Sequence, residues 1–276
     1  MATFAQLFRS IRALERPYKS RLTPRSFSTS TLRSNGSNDF IAGNAPSYQC
    51  YIFLHSSIPP SGFPSKLMTP LQRELQLRVL QWGGFVNWVY YGADALGSDP
   101  TQIDLDITLS ATAFTSYGER IEIEELSHSN LDDVNAILKN AVQQPNRKLS
   151  VDQVHLLICT HMARDCRCGD LGSAYAAALR QEVEARRKLD EVQYDKFRIG
   201  EVGHVGQHKY APNMLVYPRG DWLGRLKIKD IPETLNSIID TSASVPFPDD
   251  ICFSKHNWRG RMGLSKQEQL ELFHSS

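Results

Sequence analysis

Short apolar runs and amphipathic stretches recur along this chain in two blocks divided by a polar connector. In the first block, Gln49 to His55 is a mostly apolar run, the pattern of a buried strand. Thr69-Pro70-Leu71-Gln72 reads as a helix start, with Thr as N-cap, Pro at the first helical position and Gln closing a capping box. Leu71, Leu75, Val79 and Leu80 form its buried stripe. Phe85 to Tyr91, after the Gly83-Gly84 break, predicts a second strand. Ile103, Leu105, Ile107 and Leu109 alternate with polar residues, and Ile121 and Ile123 repeat the alternation, so a hairpin is expected. Leu131, Val134, Leu138 and Val142 mark a closing helix. The resulting order is β-α-β-β-β-α.

Gln144 to Ser150 is a polar connector containing Pro145. The second block predicts a strand over 155–159, a loop, and a helix over 172–188 whose apolar face is Tyr175, Leu179 and Val183. A strand over 197–202, a Gly-rich loop, strands over 214–217 and 222–226 and a helix over 231–239 follow. The tail has Pro246-Phe247-Pro248 in a loop, then HNWRGRMGL, then a short helix started by Ser265. Trp258 and Phe273 are expected to pack back on the core, Arg259 and Arg261 to form a solvated face, and Cys252 to be structural. Cys50 and His55 read as a buried thiol and a strand-end histidine, and Trp82, Trp88, Tyr90 and Tyr91 as packing residues.

Charge changes the picture at the start of the chain. Residues 1–27 hold Arg9, Arg12, Arg16, Lys19, Arg21 and Arg25 against Glu15 alone, and the whole chain carries only +1, which leaves the remainder at −4. Phe4, Leu7, Phe8, Ile11 and Leu14 recur there at helical spacing. Residues 1–40 therefore read as a mitochondrial presequence and leader, with Arg25-Ser26-Phe27-Ser28 resembling a matrix-protease site. Asn35 to Pro46 reads as a linker. A mildly acidic body argues against nucleic acid as the partner, and no apolar run approaches the length of a membrane span. The 276 residues and 41% hydrophobic content suit a packed core, and five cysteines, three of them clustered, fit ligand or redox use better than a disulfide framework.

The candidate chemistry is concentrated between Leu156 and Pro218. Cys159, Cys166 and Cys168 lie in LLICTHMARDCRCGDLG, and His204 and His208 in RIGEVGHVGQHKYAPN. Two soft thiolates and two imidazoles on neighbouring loops suit zinc or an iron–sulfur cluster. Spacing alone does not choose: C-x8-C is longer than the usual zinc Cys-x2-4-Cys, which weakens a finger-type site.

The run CTHMARDCRCGDLG resembles the Cys-Thr-His/Arg-Asp/Cys-Gly segment of the sucrase/ferredoxin-like family, and GHVGQHKYAPN is similar to that family's His-x-Gly-Gly-His-x-x-x-Gly-Asn segment. With the leader, the match is closest to the mitochondrial branch of that family. The resemblance implies a thioredoxin-like [2Fe-2S] ferredoxin, with Cys159, Cys168, His204 and His208 as cluster ligands. It departs at Gln207 for the second Gly, at Pro212 for the Gly before Asn213, and in the extra thiol of Cys166. Pro212 also stands where thioredoxin-like folds place a cis proline. The expected architecture is α/β, a thioredoxin-like ferredoxin domain over 150–240 preceded by a smaller, degenerate thioredoxin-like unit over 47–147 and followed by a tail over 241–276.

On this reading the protein transfers electrons or maintains thiols in the mitochondrial matrix or intermembrane space, with an unknown redox protein as partner. Neutral imidazoles in place of two thiolates raise a cluster's potential, as in Rieske centres, although the Rieske spacing is absent. Gly203 and Gly206 are expected to let backbone N–H groups approach the cluster, and Arg164 and Asp165 to stand beside it. Two alternatives stay open: thiol–disulfide exchange by Cys166 and Cys168, which in extended backbone would point the same way, and a redox-silent zinc site. His161 reads as a surface histidine. There is no G-x-S-x-G elbow, no H-E-x-x-H and no phosphate-cradling Gly loop, so hydrolase readings lack support. No paired-carboxylate motif accompanies the word "sucrase".

Overall fold

The computed structural model of the protein describes residues 40–92, 108–145, 152–241 and 254–276. The expected presequence lies outside the described residues except for Phe40, as do Cys252, Pro246 to Pro248, and Ile103, Leu105 and Ile107 of the expected hairpin. No helix among the described residues is long and apolar enough to cross a membrane.

The elements run β1 (Cys50–His55), α1 (Pro70–Val79), β2 (Gly84–Tyr90), β3 (Leu109–Thr115), β4 (Arg120–Leu126), α2 (Leu131–Gln143), β5 (Val154–Cys159), α3 (Cys166–Arg187), α4 (Glu191–Tyr194), β6 (Phe197–Val202), β7 (Met214–Tyr217), β8 (Asp221–Leu223), α5 (Ile231–Thr241), β9 (Trp258–Arg261) and α6 (Lys266–Ser275). Thr69 caps α1 as its sequence predicts, accepting the Gln72 N–H, and Pro occupies the first turn. Ser265 and Glu268 form a reciprocal capping box on α6. The hairpin partner of β4 is Leu109 to Thr115, a strand buried almost throughout.

The nine strands of the described residues join one sheet in the order β4-β3-β1-β2-β6-β5-β7-β8-β9. Its two halves repeat one plan. β1 and β2 are parallel across α1, and β3 and β4 are added antiparallel on the other side of β1. Likewise β5 and β6 are parallel across α3, with β7 and β8 antiparallel beyond β5. This is the βαβ-ββα order of a thioredoxin-like unit, present twice. The halves meet where β2 pairs antiparallel with β6 over only Val89↔Val202 and Tyr90↔Glu201.

Strand alternation sorts the core into three layers. Cys50, Ile52 and Leu54 face α1 and α2 in one cluster. Leu156 and Ile158 face Tyr175, Leu179 and Val183 of α3 and Leu235 and Ile238 of α5 in another. The opposite strand faces, Tyr51 and Phe53 of β1 and Leu157, Leu215 and Tyr217 of β5 and β7, pack together in a third, so the short seam lets the sheet fold its halves face to face. Tyr51 stacks on Trp222 across that layer at 6.1 Å between ring centroids.

The tail differs from expectation. HNWRGRMGL forms the edge strand β9 on β8, and Arg259 and Arg261 are buried, not solvated. The Asp221 carboxylate accepts Arg219 Nε at 3.0 Å and Arg261 Nε at 2.9 Å, which compensates those two cations. Trp258 and Phe273 do pack on the core, with rings stacked at 6.4 Å. The expected linker is also packed: Ile41 and Ala42 are buried, and the Asn44 N–H donates to the Arg259 carbonyl at 2.8 Å.

Candidate metal centre

Three segments end at one rim of the second half. The apolar run Leu156 to Ile158 is buried on both faces and carries Cys159 to the last position of β5. Asp165 then caps α3, its carboxylate accepting the Arg167 N–H at 3.0 Å. The helix therefore starts at Cys166, six residues before the Gly-bounded start expected at 172. Helical residues two apart do not share a face. Cys168 is accordingly buried and Cys166 exposed, not parallel as extended backbone would have them. After β6, Gly203 admits the loop that presents His204 and His208.

Cys159 Sγ, Cys168 Sγ and a ring nitrogen of His204 all lie within 4.8 Å of one another. Cys168 Sγ is 3.9 Å from His204 Nδ1. His208 stands beside this trio, its ring centroid 5.9 Å from that of His204, and its Nδ1 is 3.3 Å from Asp165 Oδ2. The structure thus gathers three of the four expected ligands and holds the fourth at the edge by one ring nitrogen. Cys166 is outside the group.

The two thiols are unequal. The Cys168 S–H hydrogen bond holds the Cys159 thiol well below its ordinary range, aided by His204 and the Val205 backbone N–H and opposed by burial. The same shared hydrogen bond, with burial, pushes Cys168 up. A thiolate at Cys159 is thus already favoured, the species a soft metal takes. Arg167 holds the Asp165 carboxylate down to about 2, so it stays ionised against His208.

Close approach shapes the rim. A Cβ on Gly172 would overlap the Cys159 carbonyl oxygen, so only glycine lets α3 lie this near β5. A Cβ on Gly203 would overlap Asn87 Oδ1, so glycine at this position admits the neighbouring side chain. Asn87 Nδ2 donates to the Gly203 carbonyl at 3.2 Å, tethering the histidine loop to β2. Gly206 is in the left-handed region with open space around it, and Gln207 is also left-handed at φ 56°. That conformation favours glycine, which accounts for a Gly at position 207 in the family pattern. The Ala211–Pro212 bond is cis, as expected.

His161 is buried, not on the surface. Its Nδ1 accepts the His204 backbone N–H at 3.4 Å and its Nε2 donates to the Pro64 carbonyl at 3.0 Å. Burial lowers its pKa, consistent with this neutral tautomer. Arg164 is exposed, whereas Asp165 takes the supporting part expected of both. Sequence reasoning placed His161 and Arg259 at the surface and passed over Asn87; their partners lie 97, 46 and 116 residues away and share no motif with them.

The donor set fits an iron–sulfur group or zinc: soft sulfur and imidazole nitrogen converge, with hard oxygen ligands absent from the trio. Thr160 next to Cys159 also has a buried hydroxyl with no hydrogen-bond partner among the described residues, an unused donor beside the ligands.

A sequence model of the sucrase/ferredoxin-like family matches residues 41–260. The chain is 30% identical over 123 residues to actin patches distal protein 1 of Saccharomyces cerevisiae, covering 41% of this chain and 39% of that protein. It is 34% identical over 90 residues to altered inheritance of mitochondria protein 32 of Meyerozyma guilliermondii, covering 32% and 29%. The alignments thus span less than two fifths of those relatives. Two structures of the thioredoxin-like [2Fe-2S] ferredoxin from Aquifex aeolicus share 17% and 19% identity with it, each at a TM-score of 0.28, covering 34% of this chain and 86% and 92% of theirs.

Proposed function

The chain belongs to the sucrase/ferredoxin-like family, and from that premise we propose that it is a mitochondrial electron-transfer protein holding a [2Fe-2S] cluster through Cys159, Cys168, His204 and His208. The observation that carries the reading is the convergence of Cys159, Cys168 and His204 within 4.8 Å at a mostly buried rim, with His208 beside them. When bound, such a cluster supplies one-electron redox chemistry at a potential raised by its imidazole ligands.

The protein's residues do the rest. β5 and the first turn of α3 anchor the cysteines on rigid elements. Asp165 fixes one ring nitrogen of His208 and leaves the other for metal, the usual carboxylate support of a ligating histidine. His208 is roughly half exposed, which leaves a short path for an electron to a docked redox protein. The basic leader and the names of the relatives support a mitochondrial location, in matrix or intermembrane space.

Thiol–disulfide exchange by Cys166 and Cys168 is the weaker reading, because α3 turns the two thiols apart. Metal and acid-labile sulfide analysis of anaerobically purified protein tests the proposal. The expected result is two irons and two sulfides per chain with visible absorbance. Colourless protein with one zinc per chain would refute it.

A further inference from the structure

We propose that Arg259, a buried cation held against the loop that supports Cys159, tunes the site by favouring the reduced form of the cluster. The inference rests on the [2Fe-2S] reading above.

Arg259 is fully buried on β9. Its Nη1 donates to Asn213 Oδ1 at 2.9 Å, and the Asn213 backbone carbonyl accepts the Cys159 N–H at 3.0 Å. One residue therefore links the guanidinium to the ligand strand. Nη2 donates to the Asn44 carbonyl at 3.2 Å. The guanidinium lies 5.3 Å from the Trp222 ring centroid and 5.7 Å from that of Tyr210, which hold its plane. Nε has no hydrogen-bond partner among the described residues.

Arg259 differs from its neighbours in charge compensation. Arg219 and Arg261 both pair with Asp221, whereas no carboxylate among the described residues pairs with Arg259. Burying a charge without a counter-charge is expensive and is tolerated where something negative offsets it. The groups that favour its charged form are Cys159, Tyr210 and Cys168, and although burial lowers its pKa to about 10 it is charged at neutral pH. Through Asn213 the cation therefore stands one residue from the strand end that carries Cys159.

A cluster with two thiolates and two neutral imidazoles is formally neutral when oxidised and carries one negative charge when reduced. Reduction by a one-electron donor adds one electron and makes or breaks no bond. A fixed cation in a low-dielectric interior stabilises the charged member of that couple. The sign is thus set: removing the cation disfavours reduction.

The test compares midpoint potentials, by optical redox titration with dithionite, of wild type, Arg259→Gln, Arg259→Lys and Asn213→Asp, with iron and sulfide content measured alongside. Asn213→Asp is isosteric and neutralises Arg259 in place. Arg259→Gln and Asn213→Asp are each expected to lower the reduced-to-oxidised ratio at least tenfold at a given ambient potential, which is 59 mV for one electron. Arg259→Lys is expected to stay within threefold of wild type. A loaded Arg259→Gln or Asn213→Asp with wild-type potential overturns the proposal, as does an Arg259→Lys shift as large as theirs. If Arg259→Gln does not load, Asn213→Asp decides; failure of both to load while Arg259→Lys loads overturns it in favour of a purely structural role. Wild type without iron and sulfide overturns the [2Fe-2S] reading instead, before any variant is made.

Discussion

Gly172 of α3 lies directly against the carbonyl oxygen of Cys159, so close that a methyl group would occupy the oxygen's place. Helix and ligand strand are in register only because that side chain is absent. Gly172→Ala should lower stability by roughly 1–3 kcal/mol through overpacking and should reduce iron content, because the strand end must shift. Gly62→Ala, where a Cβ meets nothing within 4 Å, is the control and should change neither. Thermal melts and iron assays decide; a fully loaded Gly172→Ala of normal stability would contradict the argument.

The helical start separates two cysteines that extended backbone would point the same way. Cys168 is buried in the trio and Cys166 is exposed at the first position of α3. Cys159→Ser and Cys168→Ser should abolish the stable cluster, and Cys166→Ser should keep its content and spectrum. His204→Cys or His208→Cys should retain a cluster at lower potential, because added thiolate charge stabilises the oxidised state. Loss of the cluster in Cys166→Ser with retention in Cys168→Ser would reverse the assignment.

His155 makes stability depend on pH. It is buried on β5, with Nδ1 2.7 Å from the Tyr91 hydroxyl and Nε2 without a partner among the described residues. Burial first, then Arg120 and Arg198, lower its pKa to about 3, with Asp152 opposing and His55 adding slightly. A histidine with a depressed folded pKa contributes stability that is whole above its unfolded value near 6.5 and is lost as pH falls toward the folded one. Between pH 7 and 5 the loss from this group is on the order of 2 kcal/mol. His155→Phe should shrink the pH 7 to pH 5 stability difference by about that amount. An unchanged difference in denaturant titrations would remove His155 as the source.

The Asp221 carboxylate pairs with two buried guanidiniums, Arg219 and Arg261, and also accepts Trp258 Nε1 at 2.8 Å. Asp221→Asn removes this carboxylate's charge from beside both arginines and should cost about 3–5 kcal/mol, seen as a fall in Tm of roughly 10 °C. A change below about 1 kcal/mol would mean that other contacts of those arginines carry the tail.

Local chemistry made much of this molecule legible. The Thr69 and Ser265 caps, the buried runs of β1, β5 and β6, and the amphipathic stripes of α2 and α5 need only near neighbours in the chain. So does the approach of Cys159 to the end of a strand. The start of α3 was obscured because its glycines, read as boundaries, are packing residues inside the helix, and the Asp165 cap lies ahead of them. β3 was read only at its start, Leu109, because its next inward positions, Ala111 and Ala113, are small and give a weak apolar signal.

The sequence by itself determined the secondary-structure order from β1 to α5, apart from the short α4, together with the soft donor types and the loops that carry them. Those depend on residue chemistry and on periodicities of 2 and 3.6, which short segments express alone. Only the tertiary structure decided which thiol turns inward, that Asn87 of the first half tethers the histidine loop and His161 links it to Pro64, and that Arg259 is buried with no carboxylate partner among the described residues. Each of these depends on a partner tens of residues or more away, brought near when the sheet folds across the β2–β6 seam or when β9 closes its far edge. Burial and pairing of a charge are properties of that closure, and no local pattern around HNWRGRMGL distinguishes a solvated arginine from an enclosed one.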